Sequence, residues 1–304
     1  MVGTIFVFRP ECDCSRMAAE SIISRTCAMK TPGPILTAHL FPEMRQQLID
    51  LLQGLHPDDW LRSTAAAKWN VKDVAAHLLG GDVGKLSRSR DGYSPNKQAL
   101  SSWQELVAFI NALNESWLVA ARRMSPRVLC DLLAFTGPQI EEYFAFLDPH
   151  APGEPVSWAG PEPAPMWLDI AREYTERWHH QQQIRDATGR PGLYQPRFFA
   201  PVMDTFVRAL PHTFRDVMAA EGACVQLSLL GPAGGDWIVR RGSGGWDLRV
   251  GQSGSAGALV KIEAEDAWKI FTRGIRGEEA RRRATIEGEL ELGSKVLEMV
   301  SVIA

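Results

Sequence analysis

Glu176 and His180 lie four residues apart in the stretch Glu173-Tyr174-Thr175-Glu176-Arg177-Trp178-His179-His180-Gln181-Gln182-Gln183, which continues to Gly189. At about 100° per residue, a helix here puts Glu173, Glu176, His180 and Gln183 on one stripe and Tyr174, Trp178 and Gln181 on another. A carboxylate and an imidazole one turn apart can offer two ligands to one divalent metal. The same spacing also makes a solvated ion pair, the commoner outcome for an isolated pair. A second stretch, Trp69 to Leu79, reads as a helix with Asn70 as N-cap and Asp73 at the third helical position, and its His77 sits among apolar residues. Taken alone, His77 reads as a core residue. Beside Glu176 and His180 it completes a two-His, one-Glu set, the ligand count of a catalytic zinc site with an open position.

The elements that must position these residues are predominantly helical. Leu40, Met44, Leu48, Leu51 and Leu52 recur at helical spacing up to Gly54, and the connector Pro57-Asp58-Asp59-Trp60 leads to the His77 helix. That helix is expected to end near Gly80-Gly81, with a loop from Lys85 to Asn96. A third pattern runs from about Gln98 to Arg123, with an apolar face that includes Trp103, Phe109 and Trp117. Ser125-Pro126 opens a further segment to Leu147, expected to form two pieces that meet at Gly137-Pro138. The Pro/Gly-dense run from Pro149 to Pro165 reads as an exposed connector before the Glu176/His180 helix. Pro191-Gly192 and Pro196 close that helix, and Phe198 to Ala220 reads as one more. This first part is a helix bundle, an architecture that projects metal ligands inward from facing helices.

After Ala220 the period changes from helix to strand. Val225, Leu227 and Leu229 alternate with polar residues, as do Trp246, Leu248 and Val250, and Trp237-Ile238-Val239 lies between them. The glycines at 242, 244 and 245 lack phosphate-loop spacing and read as turns. Ala258 to Ile262 is a strand, Glu265 to Phe271 a helix, Ala284 to Gly288 a last strand, and a helix closes the chain from Glu291. Arg281-Arg282-Arg283, beside Glu278 and Glu279, reads as a solvated face.

The 304 residues are 45% hydrophobic, enough for a sizeable core and two domains. A net charge of −3 favours neither nucleic acid nor a membrane surface, and no apolar run reaches the length of a membrane span. Cytoplasmic localisation is expected, because Val2 to Phe8 is a poor signal peptide. Three of the five cysteines fall in the first 28 residues, with Cys130 and Cys224 far away, so there is neither a disulfide framework nor a CxxC zinc motif. No G-x-S-x-G or H-E-x-x-H is present, which removes serine-hydrolase and zincin chemistry.

The two ligand-bearing stretches resemble the DinB-like proteins and, within them, the maleylpyruvate isomerase family that works with mycothiol. The resemblance is carried by W-x-V-x-D-V-x-A-H-L from Trp69 to Leu78 and by E-x-x-x-H followed by A-T-G between Glu176 and Gly189. It implies His77, Glu176 and His180 as ligands of a divalent metal, zinc first among them. It also implies a low-molecular-weight thiol as cosubstrate. His179 falls outside the family spacing, and Gln183 stands where relatives often carry Asp. The second half resembles the sterol-carrier-like C-terminal α/β domain of the same family. The best match is Trp268 to Gly274, although Thr272-Arg273-Gly274 reverses the Gly and Arg of the relatives' W-x-x-x-T-G-R. Arg273 and Arg276 are candidates for a substrate carboxylate, which arginine can hold bidentately.

The expected fold class is α+β, a DinB-like four-helix bundle followed by a smaller sterol-carrier-like α/β domain. A disordered leader over residues 1–30, which could be an upstream extension of the reading frame, precedes a metal-binding domain at 31–192 and the α/β domain at 193–304. The resemblance implies a metal- and thiol-dependent enzyme that isomerises maleylpyruvate-like substrates or transfers sulfur to electrophiles. A non-catalytic metal-binding or ligand-sensing module on the same fold is the alternative. Substrate, thiol and oligomeric state stay open.

Overall fold

The computed structural model describes residues 29–66, 68–93, 102–154 and 164–301. The leader through residue 28, the end of the loop reaching Asn96, the start of the third helix and the middle of the 149–165 connector lie outside these residues. The fold is α+β, a set of long helices followed by a five-stranded mixed sheet.

The helical part comprises α1 (Phe41–Gln53), α2 (Val71–Lys85), α3 (Trp103–Ala121), α4 (Pro126–Phe146) and α5 (Met166–Thr188). Helices α1, α2, α4 and α5 pack on one another, and α3 lies against α2. Leu48, Leu52, Val74, Leu79, Leu129 and Ile184 are buried together between them. Each such side chain contributes about 1.5–3 kcal/mol by leaving water. That is the force that makes amphipathic stripes face inward.

Two breaks expected from local signals are absent. Helix α2 does not stop at Gly80-Gly81 but runs to Lys85 and continues as a π-helical turn over Leu86–Arg90. Gly80 admits the Trp117 indole, whose Nε1 would lie 2.6 Å from a Cβ there, and the indole donates to the Ala76 carbonyl at 2.7 Å. Helix α4 likewise passes through Gly137-Pro138 unbroken. An interior proline costs about 3 kcal/mol, but Leu133, Ile140 and Phe144 are buried on either side of it, and their burial exceeds that cost. Gly137 leaves room for the aliphatic chain of Arg45, whose guanidinium pairs with Glu141 on the same helix.

The single helix expected over Phe198–Ala220 is two, α6 (Pro196–Val207) and α7 (Leu210–Phe214). Pro211 has no N–H to continue α6 and sits in the first turn of α7. Pro196 opens α6 rather than merely ending what precedes it.

The strands are β1 (Cys224–Leu230), β2 (Gly235–Gly242), β3 (Gly245–Val250), β4 (Ala258–Glu263) and β5 (Ala284–Gly288) in the order β3-β2-β1-β4-β5. All pairs are antiparallel except β1 with β4. Gly242 and Gly245 pair across the β2–β3 turn, and Gly245 has φ +133°. Helix α8 (Ala264–Phe271) follows β4, α9 (Gly277–Arg283) precedes β5, and α10 (Leu290–Ser294) follows it.

One apolar cluster runs from the bundle into the sheet. Trp178 of α5 stacks on Phe199 of α6 at 4.8 Å and meets the edge of Trp268 of α8 at 5.6 Å. Lys269 pairs with Asp186 at 3.3 Å, and Lys30 exchanges two backbone hydrogen bonds with Val250. No helix among the described residues is long and apolar enough to cross a membrane.

Candidate metal centre

Helix α2 delivers His77 from a well-anchored start. Asn70 Oδ1 accepts the Asp73 N–H at 2.9 Å, and Asp73 returns the bond to the Asn70 N–H, making a capping box. Arg122, the residue after α3, holds the same carboxylate at 3.1 Å. Val74, Ala75, Ala76, Leu78 and Leu79 are buried around His77, so the ring is turned toward α5. Trp69, the residue before the cap, lays its indole 4.8 Å from the His77 ring.

Helix α5 supplies the other two groups and ends at Thr188, shortly before the Pro191-Gly192 expected to close it. Gly189 takes the left-handed conformation at φ +65°, and Arg190 N–H closes on the Arg185 carbonyl at 2.9 Å. One turn of this helix separates Glu176 from His180, and both face His77. Glu176 Oε1 lies 2.9 Å from His180 Nε2 and 3.3 Å from His77 Nε2. The two imidazoles meet edge to face at 4.6 Å, and the three ligand atoms all lie within 4.8 Å of one another.

The donor set fits a divalent cation. Atoms held about 2.0–2.1 Å from a tetrahedral zinc are about 3.3 Å apart, close to the two distances observed here. Two neutral imidazoles and one carboxylate leave such an ion a net positive charge. The His77 and His180 side chains are largely covered, whereas that of Glu176 is 42% exposed. The cluster therefore opens to solvent on its carboxylate side.

The electrostatics follow from three groups crowded into a partly dry site. Burial alone would raise the Glu176 carboxyl, but the neighbouring His180 and His77 hold it well below the usual carboxylate range. Burial pulls His180 down, and the Glu176 charge outweighs it, so His180 is raised overall. At His77 burial dominates the Glu176 hydrogen bond and lowers the ring. Burial pushes His179 down to about 3, with His180 adding to the effect.

His179 is not in the cluster. It points toward α8, with its ring 5.6 Å from Trp268. Gln183 was placed on the ligand stripe by its spacing, and its side chain joins both histidines: its Oε1 lies 2.8 Å from His180 Nδ1 and its Nε2 lies 3.0 Å from His179 Nε2. The contact with His179 depends on a side-chain direction that spacing does not encode. Arg273 and Arg276 occupy the exposed turn after α8, where Arg276 donates to the Arg273 carbonyl at 2.7 Å. Neither has a described contact with the cluster. A cavity of about 40 Å³ between α1, α2, α4 and α5, lined by Met44, Leu78, Asp82, Ile140 and Arg177, includes none of the three ligand residues. It holds a few waters at most.

A helix bundle with three converging side chains that could hold a metal ion, followed by a mixed α/β sheet, defines the class of protein. The sequence model of the mycothiol maleylpyruvate isomerase N-terminal domain matches residues 41–185, which span α1 and all three ligand residues, and this part of the chain belongs to that family. Among solved structures, the chain is similar to a histidine-to-alanine mutant of the mycothiol-dependent maleylpyruvate isomerase. That match has 11% identity and a TM-score of 0.50, and covers 83% of this chain and 92% of the other. The same isomerase without the mutation aligns at 12% identity with a TM-score of 0.49 over the same shares. At such identity the first of these supports the overall fold, bundle and sheet together. No curated protein sequence matches the chain significantly.

Proposed function

We propose that the protein is a metal-dependent enzyme that uses a low-molecular-weight thiol of the mycothiol kind, either to isomerise a cis-unsaturated dicarboxylate such as maleylpyruvate or to transfer sulfur to an electrophile. The observation that carries this is the convergence of His77, Glu176 and His180 on one point with a solvent-open side, in a domain of the mycothiol maleylpyruvate isomerase family. Zinc is the proposed ion, held by His77 Nε2, Glu176 and His180 Nε2. Bound there, it would lower the pKa of a thiol so that the thiolate exists near neutral pH. The chain's own part is to hold the two rings and the carboxylate in register, to cover the rings, and to leave the Glu176 side open to small molecules. The thiolate would add to the double bond, allow rotation about the resulting single bond, and leave again; in sulfur transfer it would stay. Arg273 and Arg276 remain proposed partners for a substrate carboxylate, and 31–192 and 193–304 the proposed domains of a cytoplasmic protein.

The test is turnover of maleylpyruvate and of a generic electrophile by the zinc-loaded protein, with mycothiol, with other thiols and with none. Thiol-dependent turnover that chelation removes and zinc restores is the expected result. Full activity without thiol would exclude the thiol mechanism. Bound zinc with no turnover of any pair would favour a metal-binding or sensing module on the same fold.

A further inference from the structure

We propose that Gln183 and His179 form a positioning pair that locks the tautomer of His180, keeping Nε2 free to bind a cation. The proposal rests on the metal reading above and deepens it. A neutral imidazole has one N–H and one lone pair, and a metal ligand must present the lone pair. His180 points Nε2 at the cluster, 2.9 Å from Glu176 Oε1, and once that nitrogen gives its lone pair to a cation the ring proton belongs on Nδ1. The Gln183 amide oxygen stands 2.8 Å from that Nδ1, placed to accept its N–H.

An amide has two ends, and alone it could as readily offer its NH₂ to Nδ1. That orientation would drive the His180 proton onto Nε2 and close the ligand atom. His179 is coupled to that choice. Its Nε2 lies 3.0 Å from the Gln183 nitrogen, and with its own proton on Nδ1 it accepts the amide N–H and keeps the oxygen toward His180. The His179 ring is itself fixed, buried and set edge-on to Trp268 of α8. Among the described residues its Nδ1 is buried without a hydrogen-bond partner, and the polar contact of this ring is the one it makes to Gln183. The protons of the two histidines are thus coupled through one amide: Nδ1–H on His180 goes with Nδ1–H on His179. Trp268 belongs to the sheet-bearing part, so packing there supports the orientation of a ligand in the bundle.

The experiment measures zinc affinity by competition with a chromophoric chelator and reads histidine tautomers by ¹⁵N NMR on the full chain. In the zinc-loaded parent both His179 and His180 should carry the proton on Nδ1. Gln183→Leu removes both bonds and should weaken zinc binding about 10- to 100-fold. Gln183→Glu can accept from His180 but cannot donate to His179. It should bind zinc at least as tightly as the parent, while His179 switches to the Nε2–H tautomer, a change that lost packing alone would not produce. Unchanged affinity in Gln183→Leu, or an unswitched His179 in Gln183→Glu, would overturn the proposal and leave the metal site standing. If Gln183→Leu does not fold, the tautomer switch in Gln183→Glu decides alone. A parent that binds no zinc would remove both.

Discussion

Helix α5 carries two acid–base pairs at the same four-residue spacing, and they have different surroundings. Glu173 and Arg177 belong to a closed network. Glu173 takes Lys85 at 2.8 Å and Arg177 at 2.7 Å, Arg177 also donates to Asp82 at 2.8 Å, and Asp82 accepts the Thr136 hydroxyl at 2.9 Å. Two cations meet two anions, and each carboxylate has a charged partner. Glu176 and His180 face His77 instead, so three groups that can each lend a lone pair converge on one point. A closed, neutral network holds two helices together, and a convergent set of lone pairs could hold a cation from outside. Spacing on α5 is common to both, and what separates them is whether α2 answers with Asp82 and Lys85 or with His77.

The largest expected effect breaks the convergent cluster. His77→Ala, Glu176→Ala and His180→Ala should each abolish stoichiometric zinc binding, measured by metal analysis after dialysis, and with it any thiol-dependent turnover. The sheet should stay folded by circular dichroism, because none of the three residues contributes to it. A variant that kept both zinc and turnover would remove its residue from the ligand set.

Next comes the closed network. Arg177→Met leaves the Glu173 and Asp82 charges short of a partner in a site where the Asp82 side chain is only 8% exposed. Breaking such a buried pair from one side costs about 3–5 kcal/mol, measurable by urea denaturation. Zinc stoichiometry should survive wherever the variant is folded. Loss of zinc from a folded Arg177→Met would erase the distinction between the two clusters.

Acid should read the same network. Burial works to raise the Glu173 carboxyl, but Lys85 and Arg177 prevail and lower it to about 2. A carboxyl depressed in the folded state contributes stability above its unfolded pKa, about 4.3, and loses it as pH falls toward the folded value. The parent should therefore lose stability between about pH 4.5 and pH 2, and Glu173→Gln should show a shallower slope in that window. Equal slopes would place the acid sensitivity elsewhere. The smallest effect is at His179, which points away from the cluster. His179→Ala should keep its full zinc content at saturating metal, with affinity lowered only a few-fold. Loss of stoichiometric zinc would mean that His179 is itself a ligand.

Much of the site was legible because its signals are local or periodic. Asn70 and Asp73 fix the start of α2 through a capping box, Pro191-Gly192 marks the end of α5 to within a few residues, and the helical period puts Glu176 and His180 on one face. The strands of the sheet part followed from two-residue alternation and glycine turns in the same way. Pro211 is an equally local signal, since a missing N–H is a property of the residue, and it divides the 198–220 stretch into α6 and α7.

What the sequence determined by itself, then, is the α+β class, the residue types of the candidate ligand set and the faces they occupy, because capping, periodicity and turn chemistry act over a few residues. Tertiary structure decided three other things. Gly80-Gly81 and Gly137-Pro138 do not end their helices, since Trp117 and Arg45 pack into the space those glycines leave and neighbouring apolar burial outweighs a local penalty. His77 became a partner of Glu176 rather than a core histidine because α2 and α5 pack side by side, a contact between residues 99 positions apart. His179 and Gln183 acquired their joint contact because Trp268, far along the chain, packs against one ring and fixes where it points. Contacts of that kind depend on the whole chain closing on itself, and no local pattern encodes them.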